Sequence, residues 1–215
     1  MPLTTASFRL ALRLHGEQVR WLKAMPCSHV NAALNYDEGG SCPDCEHGFR
    51  YREVTLPPGA RALVQTVRRA QAHPDIGIFM EGSLQVTVMP DEIPLSQFDK
   101  LVLTEREQQA RERVVRGAGD SDALAHPYPA RVVEVSDDET VYQAGADYGF
   151  DEEKGVITWI EGGKAPQAGA TYSCLYMYHP VYWFVTGEIT VPRPAEMGGF
   201  LPLRGFLTEK YPEAE

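Results

Sequence analysis

The chain has 215 residues, 43% of them hydrophobic and 23% charged, with a formal net charge of −10. That length can bury a substantial core as one large β domain or two small ones, while the acidic balance excludes a nucleic-acid-coating role, which needs a cationic face. No run is long and apolar enough to span a bilayer, and the opening MPLTTASFRLALRLHG lacks a signal-peptide layout. The expectation is a cytoplasmic origin, where cysteines stay reduced.

Phe8, Leu10, Leu12 and Leu14 alternate with Arg9, Arg13 and His15, a period of two that reads as a strand with one buried face, although the same letters are good helix formers. His15-Gly16-Glu17 turns into a second short run with Val19 and Trp21 on one face and Gln18 and Arg20 on the other. Leu22-Lys23 breaks that alternation, so residues 1–26 read as a hairpin arm that delivers the chain to Cys27. A Cys/His-rich segment, 27–48, follows.

Tyr51 to Leu56 comes next and ends at the breaker Pro57-Pro58-Gly59. Residues 60–72 fit either a helix or a long strand. From Gly77 the pattern is β, with Leu84, Val86 and Val88 on one face, then a proline-led turn and a short strand at Leu101 to Leu103. Glu105 to Arg113 is mostly charged and reads as solvated. GAGDSDALAHPYPA reads as a loop of Gly, Asp and Pro. ARVVEVSD then begins a second β-rich half, in which turn signals punctuate short runs of Val, Ile, Tyr, Trp and Phe.

The expected class is therefore mainly β: a small β-sandwich or barrel with extended arms and an N-terminal Cys/His insertion. Residues 49–191 form its core, with any division into halves near 115–130. Residues 192–215, rich in Pro and Gly and ending acidic, read as an extended tail that lies over a neighbour or stays mobile.

The Cys/His segment reads CSHVNAALNYDEGGSCPDCEHGF. Zinc takes four N/S donors in a tetrahedron, and a structural site fills all four positions. Cys42-Pro43-Asp44-Cys45 brings two thiolates to one ion from a tight turn, and Cys27-Ser28-His29 supplies a second pair across a loop. The preferred set is Cys27, His29, Cys42 and Cys45, with His47 competing for the fourth position. The intervening loop has few large apolar residues, so a metal clip would stabilise what a core cannot. Glu46 or Asp44 could be nominated as a base beside a catalytic zinc, but turn solvation explains each. Cys174, inside TYSCLYMY, reads as a small buried hydrophobe.

No nucleophile elbow, phosphate loop or His-Glu-x-x-His occurs. Asp137-Asp138-Glu139 and Asp151-Glu152-Glu153 fall at hairpin turns, and His73, His126 and His179 each precede a proline at a strand-end turn. The aromatic series Tyr172, Tyr176, Tyr178, Tyr182, Trp183 and Phe184 suits strand cores and subunit contacts. The expectation is a protein without catalytic residues.

VYQAGADYGFDEEKGVITWIEGGKAPQAGATYSCLYMYHPVYWFV, with Tyr142, Gly145, Asp147-Tyr148, Gly155, Ile157, Trp159, Pro166, Gly169, Tyr172, Tyr176 and Pro180, resembles a segment of tailed-bacteriophage structural proteins. GSLQVTVMPDEIPLSQFDKLVL and GAGDSDALAHPYPARVVEV are similar to the same group, and the resemblance covers roughly residues 77 to 190. It implies a virion component made in the host cytoplasm, a neck or head-to-tail connector subunit that assembles with itself into a ring. The implied partners are other neck, portal or tail proteins, with DNA passing through the lumen without specific binding. Baseplate and tail-terminator subunits are close variants. A zinc-ribbon adaptor that grips another protein through residues 27–48 is the reading from a different class, and a hydrolase using a zinc-bound water is a third.

Overall fold

The structure, a computed structural model, describes residues 4–27, 30–31, 36–37, 45–67, 71–73, 77–79, 84–185 and 200–209. The fold is mainly β, and every strand pairing in its sheets is antiparallel. The chain divides into two compact units, Met1–Thr104 with Val181–Glu215, and Glu105–Pro180. The division therefore falls at both ends of one inserted segment and not near 115–130.

The first unit begins with a helix, α1 (Thr5–His15), where alternation had suggested a strand. The Thr4 hydroxyl accepts from the Ser7 N–H at 3.2 Å and caps the first turn. Leu, Ala and Arg then propagate the helix, burying Leu12 and leaving Leu10 and Leu14 exposed. Helix formers decided the local structure where the apolar spacing was ambiguous.

Then come β1 (Val19–Pro26), the short pair β2 (Val30–Asn31) and β3 (Tyr36–Asp37), β4 (Phe49–Val54), β5 (Leu63–Thr66), the pair β6 (Gln71–His73) and β7 (Gly77–Phe79), β8 (Leu84–Val88) and β9 (Lys100–Leu103). Strand β1 runs on through Leu22-Lys23 to Pro26, because β4 pairs along it from Trp21 to Pro26 after β9 has left. The 60–72 segment resolves as strand on both sides of residues 68–70.

The second unit supplies β10 (Gln108–Val115), β11 (Ser121–Ala123), β12 (Pro129–Ser136), β13 (Val141–Tyr142), β14 (Tyr148–Asp151), β15 (Val156–Trp159) and β16 (Thr171–Tyr178). The chain then returns to the first unit as β17 (Val181–Val185) and β18 (Leu203–Thr208).

The main sheet of the first unit has the order β4-β1-β9-β17-β18-β8-β5. Glu17 and Ala62, just ahead of β1 and β5, exchange N–H···O bonds of 2.8 and 3.1 Å and join the start of β1 to that of the edge strand β5. Alternate residues point to one enclosed core: Val19 and Trp21, Leu84, Val86 and Val88, Leu101 and Leu103, Tyr182 and Phe184, Leu203 and Leu207. Strand β18 lies between β17 and β8, so part of the segment read as a tail is an interior strand. Its one inward position without a side chain, Gly205, lies against the Phe184 ring.

In the second unit, the sheets β10-β16-β12-β13 and β11-β15-β14 share one core of Val114, Leu124, Val135, Tyr142, Tyr148, Ile157, Trp159, Tyr172, Cys174 and Tyr176. Two of its strands fall where a solvated charged stretch and a loop were expected. Charged β10 pairs with β16 along its whole length and turns Ala110 and Val114 to the core. The Gly/Asp/Pro stretch holds β11, whose Asp122 is buried. Among the described residues, no helix is long and apolar enough to cross a membrane.

Candidate functional site

The root of the Cys/His segment is built by the ends of β1 and β4. Pro26 pairs with Phe49, and the Cys27 N–H then donates to the Gly48 carbonyl at 2.9 Å. Glu46 and Phe49 exchange bonds of 2.9 and 3.0 Å around His47 (φ 50°) and Gly48 (φ 81°). Two successive left-handed residues make the tight hairpin turn whose twist matches antiparallel strands, and glycine at the second needs no strained side chain. Cys27 is buried and Cys45, one residue before this hairpin, is half-buried. Backbone pairing thus holds Cys27 directly and places Cys45 one residue before the paired Glu46, so two of the four preferred zinc ligands flank the excursion. The other two, His29 and Cys42, lie outside the described residues. Among the described residues, no group of three or more His, Cys, Asp and Glu side chains gathers to hold a metal.

The hairpin is fastened to the sheet by Lys100. On the outer face, Lys100 of β9 stands between Leu22 of β1 and Trp183 of β17, and Tyr51 of β4 is opposite Ala24 of β1. The Lys100 ammonium lies 4.0 Å from the Tyr51 ring centroid and 4.5 Å from that of Trp183, and donates to Glu46 Oε2 at 2.5 Å. The Trp183 indole N–H donates to the Tyr51 hydroxyl at 3.2 Å, and the His47 ring meets Trp183 edge-on at 6.3 Å. The lysine side chain is 8% exposed while Glu46 keeps 48%. A buried ammonium held by two aromatic faces and one carboxylate is therefore an anchor for the turn that carries Cys45. The sequence reading assigned Glu46 to turn solvation and passed over Lys100. A charged pair, Asp99-Lys100, entering the apolar run LVL was the available signal.

Buried carboxylates elsewhere organise structure. Asp99 accepts from the Trp21 indole, the Ala24 N–H and the Ser96 N–H, each at 2.9 Å, and from the Ser96 hydroxyl at 3.1 Å. Asp122 accepts from the Trp159 indole at 2.8 Å, the Tyr172 hydroxyl at 3.0 Å and the Gly117 N–H at 2.7 Å, with Arg116 at 3.7 Å. Burial first, and the Asp122 charge after it, push the Tyr172 phenol well above its ordinary range. Asp147 ties the Gln143 and Lys164 N–H groups, each at 2.8 Å, and these bonds hold its carboxyl below the usual range.

The acidic runs fall at the β12–β13 and β14–β15 turns, where Asp137 and Asp151 accept from backbone N–H groups two or three residues ahead. Of the histidines before prolines, His126 stacks on Tyr178 at 4.1 Å, and His179 Nδ1 lies 2.9 Å from the Arg106 carbonyl oxygen. His73 is on β6, and Pro74 lies outside the described residues. Cys174 is fully buried, which pushes its thiol up to about 12.

Residues 62–191 match the family described as a domain of unknown function, DUF4815. The chain belongs to this family. The DUF4815 match starts just ahead of β5, takes in the whole inserted unit and ends beyond β17. Segment 27–48 and strand β18 lie outside it. No curated protein matches the chain.

Proposed function

We propose that this protein is a ring-forming structural subunit of a tailed-phage virion, a neck or head-to-tail connector component, and that Cys27, His29, Cys42 and Cys45 hold a structural zinc. On this reading the first unit is a small barrel, the second a β-sandwich, and residues 27–48 a metal-clipped insertion between β1 and β4. The observation that carries the structural role is the use of buried charge. Asp99, Asp122 and Asp147 are occupied by the indole, phenol and backbone donors of their own units, as suits a rigid building block. The phage-like Gly, Pro and aromatic spacing then supplies the place for that block.

Zinc is supported by the way backbone pairing places Cys27 and Cys45 at the two ends of one excursion. His47 is turned to Trp183, which favours His29 as the nitrogen ligand. Baseplate and tail-terminator positions share this reading. The adaptor reading makes the same insertion a protein-binding tip. Mass photometry, with zinc measured in protein purified without chelator, tests the proposal. The expected result is particles several-fold heavier than the 23.9 kDa chain with one zinc per chain. A metal-free monomer at every concentration, alone or with portal and neck proteins, would refute it.

A further inference from the structure

The four-stranded sheet of the sandwich carries opposite charge at its two ends. At one end is β10, an eight-residue strand paired on one side only among the described residues. Its outward positions are Gln109, Arg111, Arg113 and Val115, all exposed, with Val115 at 63%. A long edge of this kind is a template for another chain unless it is blunted.

At the other end is the β12–β13 hairpin. Strand β13 covers β12 only at Val135 and Ser136, so the rest of that edge of β12 has no strand beside it among the described residues. A register shift between Val132 and Glu134 leaves Val133 49% exposed, and Val141 is 60% exposed. The hairpin turn adds exposed Asp138 and Glu139. One end therefore offers Arg113 and Arg111 beside an exposed valine, Arg111 also lying 3.8 Å from Glu134 and donating to the Ser173 hydroxyl within its own sheet. The other offers Asp138 and Glu139 beside two exposed valines, and the exposed cation on β12, Arg131, is paired with Glu107 at 3.2 Å. Separate strands carry them, three strand spacings or roughly 15 Å apart, at about 4.8 Å per strand.

We propose that the β10 edge of one copy docks on the β12–β13 edge of a second copy. The contact joins unlike surfaces, so each subunit keeps one edge of each kind for the next. Repetition gives a ring where the rotation closes and a filament where it does not. Opposite charge sets the orientation, because β10 against β10 would oppose arginine to arginine. This interface rests on the self-association proposed above and names the surfaces that make it.

The experiment is a charge swap in the full chain, read by sedimentation velocity at low and high salt. Arg111→Glu with Arg113→Glu is expected to shift the population toward monomer by tenfold or more in apparent Kd, and so is Asp138→Lys with Glu139→Lys. All four changes together restore assembly, which an effect on folding would not do. In the unaltered chain, assembly weakens as salt screens the edges. Unaltered protein that assembles while all three variants assemble equally overturns this interface and leaves ring formation standing. Unaltered protein that is monomeric at every concentration and salt overturns both.

Discussion

Gly205→Ala sets two rules against each other. By strand and helix propensity, adding a methyl to a glycine in a regular element stabilises by about 0.5–1 kcal/mol. In this structure the added Cβ would stand 2.3 and 2.6 Å from Cε2 and Cζ of Phe184, and 3.3 Å from the Val185 carbonyl. Ordinary contact begins near 3.4 Å, so the ring must retreat by roughly 1 Å. Phe184 is 2% exposed in the core of the first unit, where such overpacking costs about 1–3 kcal/mol. The net expectation is a loss of about 1–2 kcal/mol, or a Tm about 3–8 °C lower.

Urea unfolding and calorimetry measure this, and Phe184→Leu provides the control. With the ring removed, the same alanine is expected to cost less than about 0.5 kcal/mol, giving a coupling near 1 kcal/mol between two touching residues. A neutral or stabilising Gly205→Ala in the unaltered background would falsify both the close approach and the interior position of β18.

Glu46→Gln leaves the Lys100 ammonium buried against two rings with a weaker partner, and is expected to cost about 2 kcal/mol. Lys100→Met removes the charge and fills the space, so urea titrations should find it the milder change. On the zinc proposal, Cys45→Ser should abolish zinc binding and open residues 27–48 to limited proteolysis while the 105–180 unit keeps its melting transition, read by zinc analysis and mass spectrometry of fragments. The Asp147 carboxyl sits below its ordinary 3.8 because backbone N–H groups bind its anion. Its contribution is complete above that value and lost as pH falls through the lower folded value. Asp147→Asn should therefore flatten the acid limb of an unfolding curve below about pH 4 and leave the neutral region parallel. The Cys174 thiol, raised to about 12, should resist alkylation at pH 8 until the chain is unfolded.

Period-two alternation made Leu84–Val88 legible as a strand, apolar and β-branched runs did the same for Leu101–Leu103 and 130–136, and the hairpin turns at Asp137 and Asp151 were readable from their acidic residues between apolar runs. Strand β10 was not, because its inward residues are Ala110, Glu112 and Val114, and a glutamate inside an alternating pattern reads as solvent. Glu112 in fact accepts from the Tyr176 hydroxyl at 3.0 Å and from the Ala125 N–H. Asp122 was hidden for the same reason, its side-chain donors Trp159 and Tyr172 lying 37 and 50 residues further on. Strand β18 was obscured by prolines and glycines that punctuate the chain before it and by Gly205, whose role appears only with Phe184 above it. At the candidate site, Cys27 and Cys45 were chosen from spacing. The Lys100 anchor depends on strands 50 to 80 residues apart and has no local signature.

The interior place of β18 sets the order in which a ribosome can finish this molecule. Every strand of the 105–180 unit has emerged before Val181 is made, whereas the ladder that seals the first unit waits for Leu203–Thr208. The inserted middle can therefore mature while the older N-terminal strands still have a gap between β8 and β17. Losing Leu203–Thr208 would take the keystone from the segment translated first, although it would leave the later-made insertion whole.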